Sequence, residues 1–169
     1  YMDRKQEMRI LISNDDGVLA RGLEALVREL ACDHEFTIVA PDREQSAVSH
    51  GLTIRRPLFT SDWMVADLPA LGVSGTPADC VKLGIDQIMA DSPPDLVLTG
   101  INNGPNTGIN VFYSGTVAGA MEANFLDVPA IAVSVASFSP SHYDTAAVIA
   151  SKVVKLFEEV PFPGNNTLN

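Results

Sequence analysis

Little in this chain can cross-link it or hold a soft metal: its two cysteines, Cys32 and Cys80, have neither metal-ligand spacing nor a disulfide framework. That scarcity points to a reducing, cytoplasmic compartment. Positive charge is also short. Eleven Lys and Arg against twenty-one Asp and Glu leave a net charge of −10 and no basic stripe, which excludes folded nucleic acid and an anionic membrane as default partners. No apolar run is long enough to span a bilayer, and the polar stretch 1–7 lacks the apolar segment of a signal peptide. Residues 1–7 read as an extension or cloning remnant before Met8, with 8–169 as a single domain. Several catalytic signatures are missing too. There is no phosphate-binding Gly-x-x-x-x-Gly-Lys-[Ser/Thr], no Gly-x-Gly-x-x-Gly after the first strand, no Gly-x-Ser-x-Gly elbow and no His-Glu-x-x-His.

What remains is apolar enough to fold. Hydrophobic residues make up 46% of the chain and charged residues 19%, so a sizeable core can be buried. Short runs rich in Ile, Val and Leu at 8–13, 36–40, 96–99 and 130–135 suit strands buried on both faces. Helical spacing lies between and after them: Leu23, Leu26, Val27 and Leu30; Val81, Ile85 and Ile88; Ile149, Val153 and Leu156. This alternation predicts an α/β, Rossmann-like fold, a mainly parallel sheet with helices on both faces. Thr76, Pro77 and Asp79 mark a helix start as N-cap, N1 and N3, and Asp144 is placed to cap the last helix. The stretch 51–74, with Pro57 and Pro69, reads as an excursion off the sheet, an irregular hairpin or a partner-contacting arm. The end, 161–169, shows no finishing element, so further polypeptide is expected beyond it.

Four polar segments can carry chemistry. Ser13-Asn14-Asp15-Asp16-Gly17 puts adjacent carboxylates at the C-terminal end of the first strand, the ligand-binding edge of a doubly wound sheet. Two close carboxylates repel, and a cation resolves that; an Asx turn capping a helix is the alternative. Their adjacency is not the Asp-x-Asp spacing of an aspartyl-phosphate enzyme. In the loop 41–51, Ser46 offers an uncharged oxygen to the same ion or is merely solvated, and His50 either contacts substrate or lies at the surface. The third segment, 100–108, is rich in Gly and Asn and reads as a binding loop or a surface turn. The fourth, from Tyr113 through Ser114, Gly115 and Thr116, opens an alanine-rich helix. Its N-terminus is either an anion site or a capped start whose glycines pack closely on the sheet.

Taken in order, Met8 to Gly17 (MRILISNDDG), Ala40 to Ser46 (APDREQS), Gly75 to Leu83 (GTPADCVKL), Gly100 to Asn106 (GINNGPN) and Ser114 to Ala120 (SGTVAGA) closely resemble the survival protein SurE family. Members of that family are metal-dependent phosphatases of nucleoside 5′- and 3′-monophosphates, some with exopolyphosphatase activity. The resemblance implies that Asp15, Asp16, Ser46 and Asn102 hold one divalent ion, Mn²⁺ or Mg²⁺, an all-oxygen set that suits a hard cation. It also implies that Asn106, Ser114, Gly115 and Thr116 hold the phosphate, with Asp15, Asp16 and Asn106 acting in catalysis. The family's chain is longer, with a C-terminal part that exchanges elements between subunits, so a homodimer or homotetramer is expected. The competing expectation is a non-catalytic nucleotide-binding or sensing module using the same pocket.

Overall fold

The computed structural model describes residues 7–137, 142–163 and 166–169, so all but Glu7 of the expected extension lies outside the described residues. The strand β1 (Arg9–Ser13) leads into α1 (Arg21–Leu30), β2 (Glu35–Pro41), β3 (Thr60–Val65), β4 (Leu68–Val73) and α2 (Pro77–Leu83). Then come β5 (Leu96–Asn103), α3 (Gly115–Phe125), β6 (Ala130–Val135), α4 (Tyr143–Glu159) and β7 (Thr167–Leu168). The strands form one sheet in the order β3-β4-β2-β1-β5-β6-β7, parallel except where β3 runs against β4. The expected Rossmann-like α/β architecture is present.

The apolar runs are continuous because both sheet faces are covered. Along β1, Ile10 and Ile12 join the core beneath α1 and α4, while Leu11 between them joins the core beneath α2 and α3. Leu23, Leu26, Val27 and Leu30 form the buried stripe of α1. Most of α3 is buried, which its small residues permit: a Cβ on Gly119 would stand 3.1 Å from the Thr99 methyl. At α2 the expected start is realised as a capping box, with Thr76 Oγ1 accepting from the Asp79 N–H and the Asp79 carboxylate accepting from the Thr76 N–H. Among the described residues no helix is long and apolar enough to cross a membrane.

Several expectations are corrected. Of the readings of 51–74, the hairpin is present as β3 and β4, but it does not leave the sheet: β4 pairs with β2 from Ile38↔Ala70 to Pro41↔Val73. Its two-residue turn uses Ala66 and Asp67 at φ 48° and 66°, a left-handed pair without the glycine that usually announces it. Pro69 sits at the start of β4, before its pairing with β2 begins, so its missing N–H costs no bond on that side. The strand β5 does not stop at Thr99 but continues to Asn103 after a register shift. Helix α2 ends at Leu83 in a π-helical turn, Gly84–Ile88, which changes phase and leaves Ile88 half exposed. On α4 the buried face is Tyr143, Ala147, Ala150, Ser151, Val154 and Phe157, while Ile149 and Leu156 are exposed. Apolar residues surround most of that helix, so spacing alone does not pick the inward stripe, and small alanines let it approach α1. His142, not Asp144, is the N-cap of α4, and Asp144 lies in the first turn, where an acid favours the helix dipole. The end of the chain does carry an element, β7, paired parallel to β6; Gly164 and Asn165 lie outside the described residues.

Candidate functional site

The sheet grows in two directions from β1: the β1-α1-β2 crossover goes one way and the β4-α2-β5 crossover the other. Strands that diverge like this leave a crevice at their C-terminal ends, and here it opens between β1 and β5. Asp15 and Asp16 follow β1, Asn102 and Asn103 end β5, and Ser114 starts α3.

The Asp pair sits in a turn that its neighbours build. Asn14 is buried; its side-chain N–H donates to the Gly17 carbonyl at 2.8 Å, and its amide oxygen accepts from the Gly17 N–H at 3.2 Å. Gly17 has φ +100°, which glycine adopts without strain, and a Cβ there would stand 3.1 Å from the Arg43 backbone. The Asx turn and the acidic site are therefore one structure rather than alternatives. The loop after β2 docks on it: the Gln45 N–H donates to the Asp15 carbonyl at 2.7 Å and the Val18 N–H to the Pro41 carbonyl at 2.8 Å.

Asp15 is buried, and the Thr116 hydroxyl donates to its Oδ1. Burial raises its pKa, and the Thr116 hydroxyl with the N–H groups of Thr116 and Gly115 acts in the opposite direction. A side chain on Gly115 would put a Cβ 2.7 Å from that of Asp15, so the helix reaches the carboxylate only because this position is bare. Half-buried Asp16 accepts from the Asn103 N–H at 3.3 Å. Its pKa is pushed up to about 6, first by burial and then by the negative charges of Asp15 and Glu44.

The remaining expected residues divide. Asn102 donates to the Gly104 carbonyl at 2.7 Å through its amide nitrogen, and Ser46, exposed on the docked loop, donates to Glu44. Asn106 is buried, with its side-chain N–H on Ser134 Oγ at 2.9 Å. Ser114 caps α3 by accepting from the Val117 N–H at 3.1 Å. Thr116, expected among the phosphate-holding groups, is fully buried with its hydroxyl committed to Asp15. His50 turns to Glu122 instead of the crevice, at 2.7 Å. Sequence reasoning missed Glu44 beside Asp16, Ser134 behind Asn106, and Tyr143, whose pKa is raised by burial and by Asp16. None of these proximities has a signal in local spacing, since each joins segments from different parts of the chain.

The donor chemistry fits a hard divalent cation. Two desolvated carboxylates repel one another, and among the described residues no Lys, Arg or His forms an ion pair with either. The described residues contain no group of three or more His, Cys, Asp or Glu placed to hold a metal, and side chains that could complete a shell around the pair offer neutral oxygens. The side chains of Ser46 and Asn102 are of that type.

The chain is similar to known proteins over most of its length. The family model described as survival protein SurE matches residues 10–169. The chain is 49% identical over 168 residues to the 5′-nucleotidase SurE of Carboxydothermus hydrogenoformans, covering 96% of this chain and 63% of that protein. It is 46% identical over 162 residues to the 5′/3′-nucleotidase SurE of Proteus mirabilis, covering 96% and 62%. The crystal structure of the SurE protein from Aquifex aeolicus superposes with a TM-score of 0.84 at 40% identity, over 92% of this chain and 62% of that one. The chain thus spans a little less than two thirds of the length of these relatives.

Proposed function

This chain belongs to the survival protein SurE family, and from that premise we propose that it hydrolyses nucleoside 5′- and 3′-monophosphates to nucleoside and inorganic phosphate, with terminal phosphates of polyphosphate as further substrates of the same chemistry. The observation that carries the reading is the pair of desolvated carboxylates, Asp15 and Asp16, unpaired by any described cation at the mouth of the β1/β5 crevice and beside the start of α3.

Asp15, Asp16, Ser46 and Asn102 would hold one divalent cation, Mn²⁺ or Mg²⁺. Bound there, such an ion offsets the charge of a phosphoryl group and acidifies a neighbouring water. The protein's own groups do the rest. Thr116 and the first N–H groups of α3 fix the Asp15 carboxylate in one orientation. Asp16, more exposed than Asp15, is placed to orient an attacking water and accept its proton. Asn106, held by Ser134, and Ser114 at the positive end of α3 supply donors to the phosphoryl oxygens. The adjacent aspartates lack the Asp-x-Asp spacing of an aspartyl-phosphate enzyme, and in this reading water attacks phosphorus directly.

The test is a phosphate-release panel: nucleoside 5′- and 3′-monophosphates and polyphosphate, each with Mg²⁺, Mn²⁺, Ca²⁺ or chelator. Release from monophosphates with Mn²⁺ or Mg²⁺, abolished by chelator, is the expected result. Nucleotide binding with no release under any of these conditions would overturn the enzymatic reading in favour of a sensing module.

A further inference from the structure

We propose that His50 is a positioning residue for the cation site: tethered to Glu122 and stacked on Phe125, it holds the loop that presents Ser46. The inference rests on the reading of Ser46 as one of the ion-holding oxygens.

The loop between β2 and β3 is anchored at points that bracket Ser46. Upstream, the Gln45 N–H donates to the Asp15 carbonyl at 2.7 Å. Downstream, His50 Nε2 lies 2.7 Å from Glu122 Oε2, and the imidazole stacks on the Phe125 ring at 5.2 Å and 7°. The Ser49 N–H adds a bond to the Tyr113 carbonyl at 3.3 Å. Between these anchors the backbone is in an unfavourable state: Ala47 and Ser49 have φ of 56° and 53°, the left-handed region that non-glycine residues rarely occupy. Such conformations persist only where the surroundings over-determine them. Among the described residues, Ser46 itself has only a side-chain bond to Glu44, two residues away, to hold it. The Gln45 contact upstream and those of Ser49 and His50 downstream therefore act together to set where its oxygen sits.

Glu122 is a suitable post. Its side chain is 6% exposed, and it belongs to α3, the helix whose first turn also fixes Asp15. A single rigid element thereby sets the positions of both Asp15 and the Ser46 loop. Lys82 Nζ, 3.8 Å from the other Glu122 oxygen, helps satisfy the carboxylate without reaching His50's partner atom. The tether is separable from the fold. Just beyond it, the Gly51 carbonyl accepts from Thr76 Oγ1 at 2.6 Å and the Thr53 N–H donates to Asp79 Oδ1 at 2.9 Å, so the chain leaving the loop is pinned without His50.

The experiment is an equilibrium titration with Mn²⁺ alone, reading free Mn²⁺ by electron paramagnetic resonance, on the wild type, His50→Ala and His50→Gln, each with a metal-free thermal melt. Groups that orient metal ligands from behind affect affinity about tenfold or more, so His50→Ala is expected to weaken Mn²⁺ binding about tenfold, while the Glu122 carboxylate left short of a partner lowers the metal-free melt by several degrees and leaves it cooperative. His50→Gln keeps a donor to Glu122 and is expected to recover affinity to within about threefold of the wild type. In phosphate release, His50→Ala raises the Mn²⁺ concentration needed for half-activation and leaves kcat at saturating Mn²⁺ unchanged. Wild-type affinity in His50→Ala overturns the inference and leaves the cation site standing. Failure of His50→Gln to recover overturns the Glu122 tether. Absence of Mn²⁺ binding in the wild type overturns the cation site and this inference together.

Discussion

Asp15 and Asp16 are neighbours in sequence but have different environments. Asp15 is enclosed and hydrogen-bonded by α3, whereas half-buried Asp16 accepts from the end of β5 and has its pKa pushed up to about 6. Asp15→Asn and Asp16→Asn are each expected to lower phosphate release by at least about 100-fold with circular dichroism unchanged, because each removes charge placed for the reaction rather than a core contact. Raised carboxyl pKa values also set the sign of a pH effect in the metal-free protein. The Asp16 carboxyl titrates near 3.8 when unperturbed and near 6 when folded, so between those values the folded chain keeps a proton that the unfolded chain has released. Stability therefore falls as pH rises through that window. Urea midpoints measured from pH 4 to 6.5 show it, and Asp16→Asn should flatten the slope; an identical slope in the variant contradicts the assignment. Thr116→Val leaves a buried carboxylate short of a donor and is expected to cost about 1.5–3 kcal/mol by chemical denaturation. Thr116→Ser should restore both stability and activity. The acidic pair was legible in the sequence because Asn, Asp and Gly after an apolar strand mark both a turn and a ligand edge. Thr116's role was not, since its partner lies 101 residues away.

Among the elements, α3 is where sequence and chemistry meet most closely. Its small residues serve close packing and its bare first position serves Asp15, so the reading of a capped start with closely packed glycines holds. Gly115→Ala would bring a Cβ to 2.7 Å of the Asp15 Cβ, and one of the two must move. That variant is expected to lower activity at least about tenfold, by displacing the carboxylate from its orientation, with little change in overall helicity. Its activity against the wild type, with far-ultraviolet circular dichroism, checks this. The strands at the centre of the sheet and the buried stripe of α1 were legible from unbroken apolar runs and from helical spacing. The β3/β4 hairpin was legible only as an irregular one off the sheet, because a left-handed Ala66-Asp67 turn carries no glycine and Pro69 reads as a strand breaker, so its pairing with β2 was missed. The inward face of α4 was not legible, where the inner stripe is alanine-rich and the larger apolar side chains Ile149 and Leu156 point outward.

Over the whole molecule, topology assembles what no segment contains. Four polar stretches from across the sequence reach one rim because β1 is the point from which the sheet grows both ways. A chain of net charge −10 repels a phosphate, and concentrating two of its carboxylates at that rim makes sense when a cation joins them. Binding of Mn²⁺ to the folded state alone should then stabilise it by mass action, about 2.7 kcal/mol at a hundred times the dissociation constant. A thermal melt with saturating Mn²⁺ should show the rise, chelator should reverse it, and the Asp15→Asn and Asp16→Asn variants should lack it. A rise of the same size in both variants would place the binding ion elsewhere.

The most direct measurement is anomalous diffraction at the manganese edge from crystals soaked in Mn²⁺. One peak is expected in the β1/β5 crevice, within ligand distance of Asp15, Asp16, Ser46 Oγ and Asn102 Oδ1. A peak only at other residues, or an empty crevice at saturating Mn²⁺, would contradict the assignment of this rim as a cation-dependent phosphate site.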